Sequence, residues 1–196
     1  MTEEHLSPQQ SLRLIQSMIE KTKQDLSDNS IYYLVWGWIT FIACTGQFIL
    51  KNIYEYPGHY HVWWLIVIGV LFSIIKGIQE GKRRRVTTYV SESIKYLWIG
   101  MGMAYFVLSM IITRAGWDKQ VFPYFILLYG LGTFISGSII KFRPLIIGGI
   151  MAFLLAIASA YLDYDYQILC AAGAILVSYI IPAYMLRSRN KQSPDQ

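Results

Sequence analysis

Two copies of the tetrapeptide Ser-Ile-Ile-Lys, at Ser73–Lys76 and Ser138–Lys141, pair a potential nucleophile with a potential base. Serine–lysine acyl-transfer enzymes complete such a site with S-D-N and K-T-G motifs. K-T-G is absent from this sequence, and S-D-N occurs only at residues 27–29, ahead of the first apolar run and of both tetrapeptides. Both tetrapeptides end apolar runs, where the helix dipole and lipid phosphates favour a lysine. We therefore interpret them as helix ends at the cytoplasmic membrane surface, and the sequence predicts no catalytic residue and no enzyme.

Two short polar segments carry side chains of the kinds that bind a divalent cation. His59 and His61 form the first, and Asp163 and Asp165 form the second. Imidazole and carboxylate groups both serve as metal ligands. The simpler interpretation is that one aspartate caps a helix, the other is solvated, and the histidines lie at the membrane interface. We predict no metal site there, and no motif for another cofactor occurs.

Ionisable side chains deep in a membrane usually mark pumps and enzymes, because burying their charge is costly. In this sequence every Asp, Glu, Lys, Arg and His lies at or beyond the end of a predicted span. That distribution argues against a proton-coupled transporter. The polar residues inside the predicted spans are interpreted as hydrogen-bonding partners for other helices or for the backbone: Thr45, Gln47, Ser109, Thr133 and Ser178.

The composition places most of this 196-residue chain in lipid. Hydrophobic residues make up 55% and charged residues only 15%, whereas soluble domains carry about 25% charged residues. Six apolar runs each approach the roughly 20 residues that cross a bilayer as a helix. Their predicted ranges are 31–51, 62–79, 92–113, 122–140, 144–162 and 166–186. The predicted fold is an all-α integral membrane protein, with six transmembrane helices arranged as three helical hairpins after a cytoplasmic amphipathic helix.

Basic residues predict the orientation of the spans. Of the 17 lysines and arginines, 14 fall on the side of the N-terminus, and only Lys51, Arg114 and Lys119 fall on the other. The positive-inside rule then places both termini in the cytoplasm. We expect a bacterial inner-membrane protein with an N-terminal segment over 1–30, a bundle over 31–186 and a basic tail over 187–196. The net charge of +5 is explained by the membrane, so no nucleic-acid partner is predicted.

The segment before the first span carries the signals of an amphipathic helix. Ser7 as N-cap, Pro8 at the first helical position and Gln10 as capping-box partner predict its start. The residues 27–30, SDNS, predict its end. Its apolar stripe repeats at intervals of 3, 4, 3 and 4 through Leu12, Ile15, Ile19, Thr22 and Leu26. In one interpretation this stripe rests on lipid or on the cytoplasmic end of the bundle. In the other it binds a protein partner or a second copy of the chain.

The connections between spans carry two further predictions. Spans four and five are joined by residues 141–144, so these two helices must be antiparallel neighbours. The longest connection contains four consecutive basic residues, Lys82, Arg83, Arg84 and Arg85. This cluster is a topology anchor in the simpler interpretation, and a binding patch for anionic lipid or an acidic partner in the other.

Small residues spaced by four predict where helices approach closely. In span two the series is Gly69, Ser73 and Gly77, and in span five it is Gly148, Ala152, Ala156 and Ala160. Span four is similarly rich in glycine and serine. We therefore expect spans two, four and five at the centre of the bundle.

An internal repeat would explain the two tetrapeptides in another way. The pattern S-I-x-Y-L-x-x-G occurs at 30–37 and at 93–100, which is 63 residues later, and the two Ser-Ile-Ile-Lys copies are 65 residues apart. A duplicated helical hairpin with a small change in loop length would leave such offsets. Repeated hairpins frame the central path of many transporters.

The chain resembles small six-span bacterial inner-membrane proteins of unassigned function over its whole length, from SLRLIQSMIEKTK through YLVWGW to LYGLGTFISGSIIKFRPLIIGG. The resemblance carries no catalytic motif. The sequence thus favours a non-catalytic regulatory or assembly component that acts through protein or lipid contacts. The alternative is a small transporter or channel built from repeated hairpins.

Overall fold

The computed structural model describes residues 8–83, 89–116 and 120–191, and it describes side chains for 30–82, 90–116 and 120–188. These ranges contain helices and turns and no strand. The elements are α1 (Pro8–Asn52), a 3-10 helix (His59–Trp64), α2 (Leu65–Arg83), α3 (Tyr89–Ala115), α4 (Val121–Ile139), α5 (Arg143–Ala160), α6 (Tyr164–Ile175), a π turn (Leu176–Ile180) and α7 (Ile181–Lys191).

Six helical segments are long and apolar enough to cross a membrane, which confirms an all-α multi-pass membrane protein. They are Ser30–Asn52, His59–Lys82, Val90–Ala115, Val121–Ile139, Arg143–Ala160 and Tyr164–Ser188. The first is the second part of α1. The last runs without a break through α6, the π turn and α7, and we call it the last span.

The predicted end of the N-terminal helix at 27–30 is wrong, because α1 is one helix from Pro8 to Asn52. Asp28 and Asn29 each cost a helix only about 0.7 kcal/mol or less relative to alanine. No glycine or proline occurs between Gln9 and Trp36 to break the helix. The N-terminal segment is therefore the direct extension of the first span. Its predicted start, with Ser7 as N-cap, lies outside the described residues, which begin at Pro8.

Helices α4 and α5 pack most closely, as the short connection predicts. The backbone N–H of Phe142 donates to the carbonyl of Gly137 at 2.9 Å, and Lys141 has a φ of +53°. This is the Schellman arrangement that closes a helix with a left-handed residue. The second Ser-Ile-Ile-Lys is thus a helix end, as predicted. The first is not, because α2 continues beyond Lys76 to Arg83.

Glycines allow the close approach of α4 and α5. A Cβ at Gly137 would lie 2.8 Å from the backbone nitrogen of Ile146, and one at Gly149 would lie 2.8 Å from that of Phe134. In α5 the predicted small-residue series is buried at Gly148, Ala152 and Ala156, whereas Ala160 is exposed. Gly148, Ala152 and Ala156 therefore mark a helix contact, and Ala160 lies outside it.

The prediction that span two lies at the centre is wrong. The last span is the most buried, with 56% of its apolar window inside the protein, whereas spans two and three have 6% and 11%. In α2, Gly69 meets the side chain of Ile39 and Ser73 accepts a hydrogen bond from Trp36, but a Cβ at Gly77 would meet nothing within 4 Å. Small residues in span two mark one contact with α1, not a central position.

The internal repeat and the three hairpins remain predictions. Tyr33 and Tyr96 occupy matching positions of the two S-I-x-Y-L-x-x-G copies, yet Tyr33 is 3% exposed and Tyr96 is 66% exposed. Helix α1 also packs more extensively on the last span than on α2. The core is accordingly formed by α1, α4, α5 and the last span.

Candidate functional site

Six aromatic side chains meet between α1, α3, α4 and the last span, and we call them the aromatic cluster: Tyr33, Trp98, Tyr105, Phe125, Tyr129 and Tyr179. Three of them form a closed triangle. The ring centroids are 5.9 Å apart for Tyr33 and Trp98, 5.5 Å for Tyr33 and Tyr179, and 5.8 Å for Trp98 and Tyr179. All three pairs are edge-to-face, the geometry that the ring quadrupoles favour.

The other members extend this triangle deeper into the bundle. The ring of Tyr129 lies 5.2 Å from that of Tyr179 and 5.2 Å from that of Tyr105, and Tyr105 stacks on Phe125 at 5.8 Å. Each such pair contributes about 0.5–1.5 kcal/mol beyond the burial of its area. The rings thus join three separate spans to the last span.

The hydroxyl groups of the four tyrosines differ in their partners. Tyr129 shares a hydrogen bond of 3.0 Å with the hydroxyl of Thr40. The hydroxyl oxygens of Tyr33, Tyr105 and Tyr179 are buried and make no hydrogen bond within the described part of the chain. The ring of Tyr179 lies beside those of Tyr33 and Tyr129, with centroid distances of 5.5 and 5.2 Å. Three buried hydroxyls, on α1, α3 and the last span, are therefore left without a hydrogen bond of good geometry among the described residues.

Nearby serine and threonine hydroxyls are already engaged. Ser136 is a polar neighbour of Tyr33, and Thr133 is one of Tyr179. Ser136 donates to the carbonyl of Gly132 at 2.7 Å, and Thr133 donates to that of Tyr129 at 2.8 Å. Ser136 and the indole of Trp98 are close to the Tyr33 hydroxyl, and Thr133 is close to that of Tyr179, but none of these contacts has both the distance and the angle of a hydrogen bond. Donation back to a helix carbonyl is the common arrangement for these residues inside membrane helices.

A π turn places Tyr179 in the cluster. It spans Leu176–Ile180 and is followed by Pro182, which has no N–H to donate and whose ring crowds the preceding turn. A π turn is one way for a helix to accommodate such strain, and it often occurs at functional sites. Helix α5 approaches it closely, since a Cβ at Gly148 would lie 2.9 Å from the Cα of Ser178 and 3.0 Å from the carbonyl oxygen of Val177.

A second polar group, the Gln47 network, lies near the other end of α1 and consists of Gln47, His59, Trp63 and Tyr164. Trp63 Nε1 donates to Gln47 Oε1 at 2.7 Å. Because an indole N–H can only donate, this contact fixes the orientation of the amide. Gln47 Nε2 then donates to the Tyr164 hydroxyl at 3.1 Å, and to Nδ1 of His59 at 3.3 Å. The buried amide joins α1, the 3-10 helix and α6.

The two aspartates do not behave as predicted. Asp165 is paired with Lys51, whose ammonium also lies 4.5 Å from the centroid of the Tyr164 ring. The prediction that the aspartates cap and are solvated is therefore wrong for Asp165. Asp163 occupies the N-cap position of α6, but its side chain makes no capping hydrogen bond. Only its carbonyl accepts, from the N–H of Gln167 at 3.0 Å.

The candidate metal ligands are not brought together. No group of three or more His, Cys, Asp or Glu side chains with metal-binding geometry occurs within the described ranges. His59 belongs to the Gln47 network, and Nδ1 of His61 contacts the carbonyl of Gly58 at 2.8 Å. Because a carbonyl only accepts, that nitrogen of His61 donates.

The predicted interaction residues lie where side chains are not described. Leu12, Ile15, Ile19 and Leu26 fall within helix α1, and their side chains lie outside the described ranges. In the basic cluster, Lys82 is exposed in α2, the side chain of Arg83 is outside those ranges, and Arg84 and Arg85 lie outside the described residues. Neither prediction is tested by the structure.

Sequence reasoning missed the aromatic cluster, although a signal was present. Tyrosines of membrane helices concentrate at the interfaces, whereas Tyr105, Tyr129 and Tyr179 lie well inside their spans. Their depth could have marked them as unusual. Which tyrosines meet depends on how distant helices pack, and periodicity within one helix does not contain that information.

Comparison of the chain with protein-family models, with curated proteins and with solved structures finds no significant match.

Proposed function

We propose that this chain is a non-catalytic regulatory or assembly component of the bacterial inner membrane, which acts through protein contacts made by the N-terminal part of α1. The observation that carries this proposal is the continuity of α1 from Pro8 to Asn52. A stripe that rested on the lipid surface would need a break where the helix leaves the membrane. No break occurs, so the N-terminal part continues the axis of a transmembrane helix.

The length of this extension suits a contact outside the membrane. Helix α1 has 45 residues, of which the first span uses the 23 from Ser30 to Asn52. At 1.5 Å per residue the remainder extends roughly 30 Å beyond the span. The positions of Leu12, Ile15, Ile19 and Leu26 lie on one face of that helix by their spacing. An apolar face on a projecting helix loses water only when something packs on it.

The occupant that fits best is the same segment of a second copy. Intervals of 3 and 4 are those of the a and d positions in a coiled coil. Two copies inserted in one membrane share an orientation, so their extensions emerge on the same side and in parallel. About two heptads form a marginal coiled coil alone, but confinement to the membrane raises the effective concentration of the pair.

The polar face of the extension is poorly suited to lipid. It mixes basic residues with Glu20 and Asp25, whereas helices that bind anionic membranes carry a predominantly basic face. In the proposed orientation, 14 of the 17 lysines and arginines lie on the cytoplasmic side together with the extension. The basic residues Lys82, Arg83, Arg84 and Arg85 then anchor the α2–α3 connection at that surface.

The proposal is tested by the full-length double variant Ile15→Glu, Ile19→Glu. Native membranes are treated with a short amine-reactive cross-linker, and the dimer fraction is compared with wild type. We expect the variant to lose most of the cross-linked dimer while its melting temperature in detergent stays unchanged. The matched control is Ser17→Glu with Gln24→Glu, which adds the same charge on the opposite face and should retain the dimer.

Three outcomes would revise the proposal. A variant that melts at a lower temperature with its association unaltered would show that the stripe packs on its own bundle. Equal dimer in both variants would remove the stripe from the contact. A cross-linked product of another mass, lost only in the stripe variant, would replace the second copy by a different protein partner.

A further inference from the structure

The three unpartnered hydroxyls of the aromatic cluster lie inside the membrane bundle, where lipid tails cannot form hydrogen bonds with them. In hydrocarbon an unsatisfied polar group costs several kcal/mol, so polar groups of membrane proteins nearly always find partners. Tyr33 and Tyr179 are 3% and 1% exposed, and all three hydroxyl oxygens are buried. Three such groups, on α1, α3 and the last span, indicate small polar partners that the described part of the chain does not supply.

The chemistry of the cluster restricts what that partner is. None of its six residues is ionisable at neutral pH, so a charged ligand would be desolvated with no opposite charge beside it. An organic cation is excluded by size as well. Three rings around a quaternary ammonium would each stand about 4.5–6 Å from it, whereas the Tyr33, Trp98 and Tyr179 centroids are only 5.5–5.9 Å from one another.

A phenol hydroxyl both donates and accepts, and water matches this capacity at small volume. Buried waters typically make about three hydrogen bonds to otherwise unsatisfied groups. We propose that the hydroxyls of Tyr33, Tyr105 and Tyr179 bind water in an internal polar site of the membrane bundle. The Ser136 and Thr133 oxygens, which already donate elsewhere, remain able to accept from that water.

The site extends from one end of the bundle toward its middle. Tyr33 lies three residues into the first span, which begins at Ser30, and Ser136 lies three residues before the end of span four at Ile139. Thr40, which is bonded to Tyr129, lies seven residues further along α1 than Tyr33, or about 10 Å deeper. This inference is independent of the proposed contact through the N-terminal extension.

Radiolytic hydroxyl-radical footprinting of the protein in lipid nanodiscs tests the site, because radicals formed from bound water label the side chains next to it. We expect Tyr33 and Tyr179 to be labelled several-fold faster than Phe122, an aromatic side chain of similar burial in the other part of the core. Labelling of Tyr33 and Tyr179 no faster than Phe122 would overturn the proposal.

Stability of phenylalanine variants tests whether the hydroxyls themselves hold the water. Removing an unsatisfied buried hydroxyl stabilises a protein, whereas removing a bonded one destabilises it. We expect Tyr105→Phe to lower the melting temperature by roughly 2–4 °C. The reference is Tyr129→Phe, which loses the bond to Thr40 and should show a decrease of similar size. A higher melting temperature for Tyr105→Phe would overturn the assignment of this hydroxyl as a ligand.

Discussion

The aromatic cluster and the Gln47 network bury polar groups at opposite ends of the same contact between α1 and the last span. Tyr33 and Gln47 are fourteen residues apart on α1, or about 20 Å along the helix. At Gln47 one amide accepts from Trp63 and donates to Tyr164 and His59. In the cluster the rings pack against one another, whereas the hydroxyls of Tyr33, Tyr105 and Tyr179 make no hydrogen bond within the described part of the chain.

The difference shows what holds each end. A satisfied amide fixes three elements by directional bonds, so the Gln47 network is a structural clamp. The cluster is held by ring packing, which does not depend on the direction of a hydroxyl group. The hydroxyls of the cluster therefore remain available to a bound molecule. Buried polarity alone therefore does not identify a binding site, and the cluster differs from the clamp in that three of its hydroxyls have no hydrogen bond in the described ranges.

The largest expected effect comes from breaking the approach of α5 to the π turn beneath the cluster. Gly148→Val would place a side chain against the backbone of Ser178 and Val177, at 2.9 and 3.0 Å for the Cβ alone. Overpacking of this kind should lower the free energy of unfolding by about 3 kcal/mol, measured by denaturation in mixed detergent micelles. The control is Gly173→Val in the last span, where a Cβ meets nothing within 4 Å. Equal stability of the two variants would contradict the close approach.

A smaller effect is expected at the clamp. Gln47→Met keeps the volume but leaves the indole N–H of Trp63 without its acceptor, so the free energy of unfolding should fall by about 1–3 kcal/mol. Thr45→Val is the control, because the Thr45 hydroxyl donates only to carbonyls of its own helix, the nearer being Phe41 at 2.7 Å. If Gln47→Met is as stable as Thr45→Val, the amide does not join the elements.

The ion pair beside the clamp should contribute least. Lys51 and Asp165 are each about a third exposed, so water and salt screen their attraction, and the pair is worth about 0.5–1 kcal/mol. A double-mutant cycle with Lys51→Met and Asp165→Asn should give a coupling of this size at low ionic strength that decreases as salt is added. No coupling at low ionic strength would refute the contribution of the ion pair.

The sequence predicted the helical spans well because crossing a bilayer imposes length and apolarity on each segment separately. The neighbours α4 and α5 were also predicted, since a connection as short as 141–144 permits no other arrangement. The most buried helix, the last span, was not predicted to be central. Gly69 and Ser73 in α2 have the spacing of a close contact, and they do make one, but spacing does not tell how many other helices surround a span.

The polar sites were harder to predict for the same reason. Gln47 was identified as a hydrogen-bonding residue, but its partners at His59, Trp63 and Tyr164 lie on other elements. Asp165 was misassigned because its partner, Lys51, precedes it by more than a hundred residues. The end of the N-terminal helix was misplaced because SDNS resembles a stop signal locally, whereas a helix without glycine or proline continues at small cost.

Cysteine scanning of the N-terminal extension tests the central claim most directly. Single cysteines at each position from Leu12 to Leu26, in a chain with Cys44→Ala and Cys170→Ala, are oxidised in native membranes and scored for disulfide-linked dimer. If two extensions pair through the stripe, dimer formation should be highest at stripe positions such as Ile15, Ile19 and Leu26 and lowest on the opposite face at Ser17 and Gln24. A flat profile, or no dimer at any position, would contradict a paired extension.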